Sequence, residues 1–333
     1  MNGRALARES QGERHGMRKI IRRIEREAGV AGLSEVLSER ISPTDLQSLL
    51  LEVYKRRAEQ RSPRAVLSDY VSNRFTLPSR CDPAILLEWD RVAFSRLPEG
   101  FEAIELSPVS PLGSVSCTAP ISQDWILTTI RNTEVVADPT STLALECALR
   151  RRELIRSEPT NAAPVHLACS HRVVRTQRYK TPDALPHFRL FSLCSAGRNT
   201  GRLRFDVHAV AEHIRFYLKS VGAFLGPQVT LRVSIVDLSS NPRNDAIFGV
   251  LSETLSREFG KVAIGLEKAH TEKQYYNELQ FRIHATPTGG RETELVEGGD
   301  TDWTQKLLNN AKERLVISGI GSERLCSIRE LTH

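Results

Sequence analysis

Alternating apolar and polar positions mark several strands in the second half of the chain. The segments Val165–Arg175 and His187–Leu193 are rich in β-branched and aromatic residues. In Val229–Ile235 and Leu279–Ala285, every second residue is apolar. This period of two is typical of strands with one buried face. The pattern therefore predicts a sheet, with the first two strands joined by a polar loop.

Helical signals are interspersed with these strands. Ser42-Pro43, Ser62-Pro63, Asp82-Pro83 and Asp138-Pro139 each place a capping residue before a proline, which is the expected start of a helix. Mixed helices and recurrent hairpins predict an α+β fold with a mainly antiparallel sheet flanked by helices. We expect residues 1–80 to form a helical N-terminal appendage and residues 81–333 to form the main domain.

Composition narrows the class of protein. With 333 residues and 40% hydrophobic content, the chain can bury a sizeable core. It has no run of about 18 apolar residues and its amino terminus has no apolar core, so we expect neither a membrane span nor a secretory signal. Its six cysteines are widely spaced without a CxxC pair. This spacing argues against zinc sites and a disulfide framework, and predicts a reduced cytoplasmic protein without a metal site.

Positive charge is concentrated at the N-terminus. Residues 1–80 contain sixteen Lys and Arg against ten Asp and Glu, an excess equal to the net charge of +6 of the whole chain. A basic helical segment on a neutral body is typical of a nucleic-acid contact. A charge-rich amphipathic helix is more often a solvated surface, and both interpretations stay open.

The central hairpin carries candidate binding chemistry. His187, Arg189 and Phe191 alternate on the second strand and therefore share one face, while Arg175 ends the first strand. The connecting loop adds two further cations, Arg178 and Lys180, and the aromatic ring of Tyr179. Guanidinium groups can bind phosphate, and an aromatic ring can stack on a base. The alternative is a basic hairpin in which Arg175 only pairs with an acid of the sheet.

A second candidate lies in the glycine-rich segment GIGSERL. Gly319 and Gly321 let the backbone approach a ligand or a neighbouring strand. Arg324 falls in the first turn of a predicted helix, where a cation is unfavourable unless an anion is bound nearby. The alternative is an arginine that pairs with a nearby carboxylate.

Several common catalytic signatures are absent from the sequence. It contains no GxxxxGK[ST], GxGxxG, HExxH or GxSxG segment. These absences exclude the P-loop, dinucleotide-binding, zincin and serine-hydrolase classes in their usual form.

Three segments occur in the order of the three motifs of class II aminoacyl-tRNA synthetases. They are GFEAIELSP (100–108), VVRTQ (173–177) with HFRLF (187–191), and GIGSERL (319–325). Between the last two motifs, the order of elements is similar to that of the histidyl branch. The resemblance covers residues 82–330 and implies a class II catalytic domain, ATP as the nucleotide and a homodimer. No segment after the third motif corresponds to an anticodon-binding domain.

The resemblance assigns roles to matching residues. It implies that Arg175 holds the α-phosphate of ATP, that His187 and Arg324 hold the outer phosphates, and that Phe191 stacks on adenine. Arg175 and Arg324 would be the catalytic residues. Gln177 stands where the second motif usually has Glu, so this position keeps an acceptor and loses a charge.

Other positions depart from the histidyl pattern in the substrate pocket. The loop DPTST has Thr140 or Ser141 in place of a substrate-binding Glu, and Ile264 occupies the position of the arginine in the RGLDYY segment. The remaining positions that the resemblance assigns to the substrate pocket are Leu193, Gly197, Gly298 and Gly299. A pocket without carboxylates lacks a partner for an α-ammonium group, which argues against histidine as the substrate.

Two functions follow from the resemblance. One is ATP-dependent adenylation of a carboxylic or amino acid, with Mg²⁺ on the triphosphate and with tRNA, another RNA or a carrier protein as acceptor. The alternative is a non-catalytic paralogue that acts as a regulatory subunit or as an RNA-binding protein.

Overall fold

The computed structural model describes residues 3–119, 121–159, 163–177, 185–201, 203–239, 241–268 and 275–332. The strands in these ranges are β1 (Phe101–Ala103), β2 (Val109–Pro111), β3 (Thr133–Val135), β4 (Val165–Val174), β5 (His187–Arg198), β6 (Val229–Asp237), β7 (Ala263–Lys268), β8 (Leu279–Pro287), β9 (Thr293–Thr301) and β10 (Glu313–Gly321). The helices are α1 (Gly3–Ala28), α2 (Leu33–Glu35), α3 (Pro43–Glu59), α4 (Pro63–Ser72), α5 (Pro83–Phe94), α6 (Ser114–Thr118), α7 (Pro139–Ser157), α8 (Arg204–Leu225), α9 (Pro242–Glu258), α10 (Trp303–Leu308) and α11 (Ser322–Thr332).

Eight strands form one mixed sheet in the order β1-β4-β5-β10-β9-β8-β6-β7, and β2 pairs with β3 separately. Only the two edge pairs of the large sheet, β1 with β4 and β6 with β7, are parallel. The predicted α+β fold with a mainly antiparallel sheet is confirmed. The predicted hairpin strands correspond to β4 and β5, which pair from Val174 opposite His187 to Val165 opposite Ala196. Arg178, Tyr179 and Lys180 lie outside the described residues.

The proline-containing helix starts behave as their sequence predicts. Ser42 Oγ accepts a hydrogen bond from Asp45 N at 3.1 Å, and Ser62 Oγ accepts one from Ala65 N at 3.2 Å. Asp82 and Asp138 cap α5 and α7 in the same way. Each cap satisfies a backbone N–H group that the first helical turn leaves without a partner.

Helices cover the two faces of the large sheet unequally. On one face, α5, α8, α9 and α11 enclose an apolar core in which Trp89 is fully buried. The Trp89 ring meets Phe191 and Phe224 edge-on, and its indole N–H donates to Ser322 Oγ at 3.2 Å. On the other face, α7 packs on β4 and β5. This second face is the one on which a cavity opens.

The N-terminal helices differ from the rest of the chain. None of the described side chains between residues 16 and 80 is buried. Exposed apolar residues such as Ile24, Tyr54 and Leu67 lie on α1, α3 and α4. The division of the chain near residue 80 stays a prediction. No helix in the described ranges combines the length and hydropathy needed to cross a membrane.

Candidate nucleotide and acid site

A cavity of about 1010 Å³ opens on the sheet face that carries α7. It extends between the start of α7 and the start of α11, over β5, β9 and β10. Among the residues that line it are Asp138, Arg175, Phe188, Ser192, Glu297 and Arg324. The segments predicted to carry chemistry therefore do meet, at one place on the sheet.

Arg175 is held at this cavity by the backbone of the segment before α7. Its Nε donates to Ala137 O at 2.7 Å, and its Nη2 lies 3.4 Å from Asp138 Oδ2. Its guanidinium carbon lies 5.3 Å from the centroid of the Phe188 ring. Its other terminal nitrogen has no hydrogen-bond partner among the described residues, so a guanidinium N–H remains for a ligand.

Phe191, the residue expected to stack on adenine, does not line the cavity. Phe191 is wholly buried on the opposite face, with its ring centroid 5.0 Å from Phe94 and 5.6 Å from Phe216. Phe188 lines the cavity instead. His187, Arg189 and Phe191 do share one face of β5, and that face is turned toward α5, although His187 and Arg189 also contribute to the cavity lining. There Arg189 pairs with Asp90 of α5 at 2.9 Å.

Both ring nitrogens of His187 form hydrogen bonds to other residues of the protein. Because Arg172 Nη1 donates to its Nδ1 at 2.9 Å, its Nε2 carries the proton and donates to Leu77 O at 2.6 Å. Arg172 in turn pairs with Glu323 at 2.6 Å. The ring therefore ties the segment before α5 to the hairpin and has no nitrogen left for a phosphate, contrary to our expectation.

Arg324 and Gln177 both line the cavity. Arg324 is exposed in the first turn of α11, lines the cavity and donates from Nη1 to Glu294 O at 2.8 Å. Gln177 is half-buried and also lines the cavity. A cation at the N-terminus of a helix is unfavourable by itself, so an anion bound beside Arg324 would be stabilising.

The loop before α7 contributes a carboxylate that sequence reasoning missed. Thr140 lines the cavity, whereas Ser141 is wholly buried and does not. Asp138 caps Thr140 N with Oδ1 at 3.0 Å, and its Oδ2 accepts from the Tyr275 hydroxyl at 3.2 Å. Burial, followed by the charge of Asp138, raises the pKa of Tyr275 well above its usual range. In the sequence, Asp138 is recognisable only as the residue that caps a helix.

Four predicted substrate-pocket positions serve packing instead. Leu193 is buried on the face opposite the cavity. A Cβ at Gly197 would overlap the Phe205 ring, and one at Gly298 would overlap Phe281 and Ser318. At Gly299, a Cβ would overlap Tyr276. These glycines allow close approach of neighbouring groups.

A matched pair of glycines tests this packing role. We expect Gly298→Ala to lower the free energy of unfolding by about 1–3 kcal/mol, because the new methyl overlaps two side chains. Gly319→Ala on the adjacent strand should change it by no more than about 0.5 kcal/mol, since a Cβ there meets its nearest atom at 3.4 Å. Urea unfolding of both variants measures the difference. Equal losses would contradict the assignment.

The expectation that the pocket has lost its carboxylates is also wrong. Besides Asp138, Glu297 of β9 lines the cavity and is exposed to it. Although part of the side chain is exposed, the surrounding protein atoms desolvate the carboxyl group, and this effect, followed by the charge of Glu294, raises the pKa of Glu297. A lone acid between apolar residues of a strand, as in LVEGG, was the signal available in the sequence.

Two tyrosines complete the wall. Tyr275 and Tyr276 line the cavity, whereas Ile264 lies on the edge strand β7 and packs against the opposite core. Ile264 therefore lies away from the cavity, whereas the two tyrosines lie at it. The residues just before Tyr275 lie outside the described part of the chain.

The cavity lining includes an aromatic ring and two guanidinium groups. It combines an aromatic ring at Phe188, a guanidinium N–H of Arg175 and a second cation at Arg324, which suit a base and phosphates. Among the described residues, no group of three or more His, Cys, Asp or Glu could hold a metal ion. Mg²⁺ bound through phosphates needs only one or two carboxylates, and Glu323 and Glu294 line the cavity near Arg324.

Comparison with solved structures identifies the fold. Over 76% of its length the chain matches an ATP phosphoribosyltransferase regulatory subunit/histidyl-tRNA synthetase from Bacillus halodurans, covering 82% of that chain at a TM-score of 0.53 and 14% identity. It matches S. aureus histidyl-tRNA synthetase over 76% of this chain and 70% of that chain, at a TM-score of 0.52 and 14% identity. A histidine–tRNA ligase subunit from Alicyclobacillus acidocaldarius matches over 82% of this chain and 97% of that chain, at a TM-score of 0.55 and 12% identity.

These matches show a class II synthetase-like fold of the histidyl type, as the order of the sequence motifs implied. A scan against models of protein families finds no match. A search of curated proteins finds none either.

Proposed function

We propose that the chain is an ATP-dependent enzyme that adenylates a carboxylic or amino acid for transfer to an acceptor. The observation that carries the proposal is the meeting of Arg175, Phe188 and Arg324 at one cavity, although they come from three separate parts of the sequence.

The geometry suggests how the chain's own residues would act. Phe188 would stack on adenine, the remaining N–H of Arg175 would bind the α-phosphate, and Arg324 would bind the outer phosphates. A carboxylate oxygen of the acid attacks the α-phosphorus, the bond to the bridging oxygen breaks, and pyrophosphate leaves. The arginines position the reactants and neutralise the charge that develops on the phosphate, so no side-chain nucleophile is required.

The acceptor and assembly belong to the same proposal. The basic residues of the N-terminal helices suit a tRNA or another RNA, and a carrier protein is the other acceptor class. We also propose Mg²⁺ on the triphosphate, a homodimer and a cytoplasmic location.

Calorimetry with ATP and Mg²⁺ tests the nucleotide site. We expect micromolar-range binding by the wild type and at least about a tenfold weaker affinity for Arg175→Ala, which corresponds to about 1.4 kcal/mol. The control is Arg257→Ala, since Arg257 is exposed on α9 and, among the described residues, pairs with Glu253 alone. Absence of binding by the wild type, or unchanged binding by Arg175→Ala, would contradict the proposal.

A non-catalytic role is the second candidate, favoured by two observations. Both ring nitrogens of His187 form hydrogen bonds within the protein. Gln177 occupies the position at which the second motif usually has Glu. A structural neighbour is itself named as a regulatory subunit of an ATP phosphoribosyltransferase. Pyrophosphate exchange dependent on an added acid supports the enzyme, whereas ATP binding without exchange for any acid supports the second candidate.

A further inference from the structure

Two cysteines from distant parts of the sequence meet where α5 and α11 pack together. Cys81 lies directly before the capping residue of α5, and Cys326 lies in the second turn of α11. The two helices contact each other. Cys326 belongs to the apolar core around Trp89, and Cys81 packs against that core. The two thiols share a side-chain hydrogen bond, so their sulfur atoms are neighbours.

The two thiols differ in their access to solvent. Cys326 is wholly buried, whereas Cys81 is half-buried and lines the cavity together with Glu323 and Arg324 of α11. A molecule that enters the cavity can therefore reach the sulfur of Cys81 but not that of Cys326. An accessible thiol beside a second, protected thiol is the arrangement of an attacking and a resolving cysteine.

The remaining four cysteines do not offer such a pair. Cys147, Cys169 and Cys194 are neighbours in the core beneath α7, but all three are wholly buried. Cys117 is exposed on α6, where its thiol donates to Ser114 O at 3.7 Å. All six cysteines lie in the described ranges, and Cys81 is the one that lines the cavity.

The hydrogen bond between the thiols sets which of them loses its proton first. Burial raises the pKa of both thiols, and the hydrogen bond lowers the pKa of Cys81 while it raises that of Cys326. The charges of Glu323 and Glu330 on α11, and of Asp82 at the start of α5, raise the pKa of Cys81. Because only a thiolate attacks a disulfide, Cys81 is the nucleophile of the pair, and its reaction is slow at neutral pH.

We propose that Cys81 and Cys326 form a reversible modification site, at which a low-molecular-weight disulfide such as oxidised glutathione links the two thiols and so fixes the segment before α5 to α11. This inference does not rest on the proposed function, because it concerns the thiols and not the ligand of the cavity. In a reducing compartment the pair stays as two thiols, and the bond forms under oxidising conditions.

The reaction consists of two thiol–disulfide exchanges. The Cys81 thiolate attacks one sulfur of oxidised glutathione, the S–S bond of glutathione breaks, and one glutathione thiolate leaves. The Cys326 thiol then loses its proton and attacks Cys81 Sγ, and the second glutathione thiolate leaves. The two cysteines lose two electrons, one oxidised glutathione is reduced to two thiols, and the protons of the cysteines pass through solvent to these leaving groups.

The bond would act on the junction between the N-terminal helices and the sheet. The backbone before α5 accepts a hydrogen bond at Leu77 O from His187 Nε2 at 2.6 Å, and Cys81 N donates to Ser79 Oγ at 3.2 Å. A covalent link to α11 would prevent local opening of this segment. It would also close a loop that contains most of the chain, which restricts the unfolded state.

Peptide mapping after oxidation tests the proposal. The protein is incubated with oxidised glutathione, free thiols are blocked with N-ethylmaleimide, and tryptic peptides are analysed without reduction. We expect a cross-linked species that joins CDPAILLEWDR (81–91) to LCSIR (325–329), and dithiothreitol should remove it. Its initial rate of formation should rise about tenfold per pH unit between pH 7 and pH 8, because the thiolate fraction of Cys81 rises in the same proportion.

Three variants assign the role of each thiol. Cys326→Ala should stop at the mixed disulfide, so that one glutathione stays attached to Cys81. Cys81→Ser should leave Cys326 unmodified, since oxidised glutathione does not reach it in the folded protein. Cys117→Ser removes an exposed thiol outside the pair and should give the same cross-link as the wild type. The melting temperature of each reduced variant is compared with that of the wild type, so that loss of folding is recognised.

The oxidised protein should also differ physically from the reduced protein. Both forms are compared in Cys117→Ser, where glutathione on the exposed thiol does not interfere. We expect the disulfide to raise the melting temperature by about 3 °C or more. Trypsin should cleave the folded chain after Arg80 at least about threefold more slowly in the oxidised form, because cleavage requires local opening of the segment.

The same measurements can overturn the proposal. Absence of the cross-linked peptide from the oxidised wild type would do so, whether or not Cys81 carries glutathione, and so would a rate that is independent of pH. Equal cleavage after Arg80 in the two forms would contradict the fixing of the segment. None of these results depends on ATP binding, so a failure here leaves the proposed adenylation standing, and the reverse also holds.

Discussion

Arg151→Met should lower the free energy of unfolding by about 3–5 kcal/mol. Arg151 and Glu313 are almost wholly buried, and their side chains meet through two bonds, Nε to Oε2 at 2.8 Å and Nη2 to Oε1 at 3.0 Å. Arg151 also donates to Ala163 O. Removing the guanidinium leaves the Glu313 carboxylate buried without a counter-charge, which costs more than the pair itself contributes. Chemical denaturation at neutral pH measures the loss.

The adjacent residue provides the control for this prediction. Arg150 pairs with Glu102 and Glu146 at the surface, so Arg150→Met should cost no more than about 1 kcal/mol. The double variant Arg151→Met/Glu313→Leu should recover most of the stability lost in Arg151→Met, because it removes both charges. Similar losses for Arg150→Met and Arg151→Met, or no recovery in the double variant, would contradict the account.

Asp300→Asn should become more stabilising relative to the wild type as the pH rises from about 4 to about 7. Burial, followed by the charge of Asp206, raises the pKa of Asp300 from 3.8 to about 7, although Oδ1 accepts from Glu278 N at 2.9 Å and from Leu279 N at 2.7 Å. An asparagine oxygen can accept the same two bonds without a charge.

The sign follows from proton binding. In the unfolded chain Asp300 loses its proton near pH 3.8, whereas in the folded chain it keeps it until about pH 7. The folded state therefore binds more protons in this window, and the wild type loses stability as the pH rises. Since one pKa unit corresponds to about 1.4 kcal/mol, the advantage of Asp300→Asn should grow by a few kcal/mol. Unfolding curves at several pH values test this, and a difference independent of pH would contradict it.

The order of the motifs was enough to predict the fold. Four residues that the resemblance assigned to the site line one cavity: Thr140, Arg175, Gln177 and Arg324. These four residues lie just after strands or in the first turns of helices. Capping residues, prolines and glycines mark such boundaries in the local sequence. The strands themselves are recognisable because their apolar residues recur with a period of two.

The side of the sheet that each strand residue faces was not predictable in the same way. Phe188 and Phe191 are three residues apart on β5, so they lie on opposite faces, and either could have been the ring at the cavity. A shift of one residue in register exchanges every side chain between the two faces. For the same reason, the sequence did not show that Ser192 faces the cavity and that the neighbouring Leu193 faces the core on the other side.

The sequence by itself determined the secondary structure of the hairpin, the helix starts and the fold class, because these depend on neighbouring residues and on their periodicity. Only the tertiary structure decided that Gly298 and Gly299 pack against side chains while Gly319 leaves a gap. It also decided that the carboxyl groups of Asp138 and Glu297 line the cavity. These properties depend on which strands are adjacent, and residues distant in the chain set that arrangement through long-range packing.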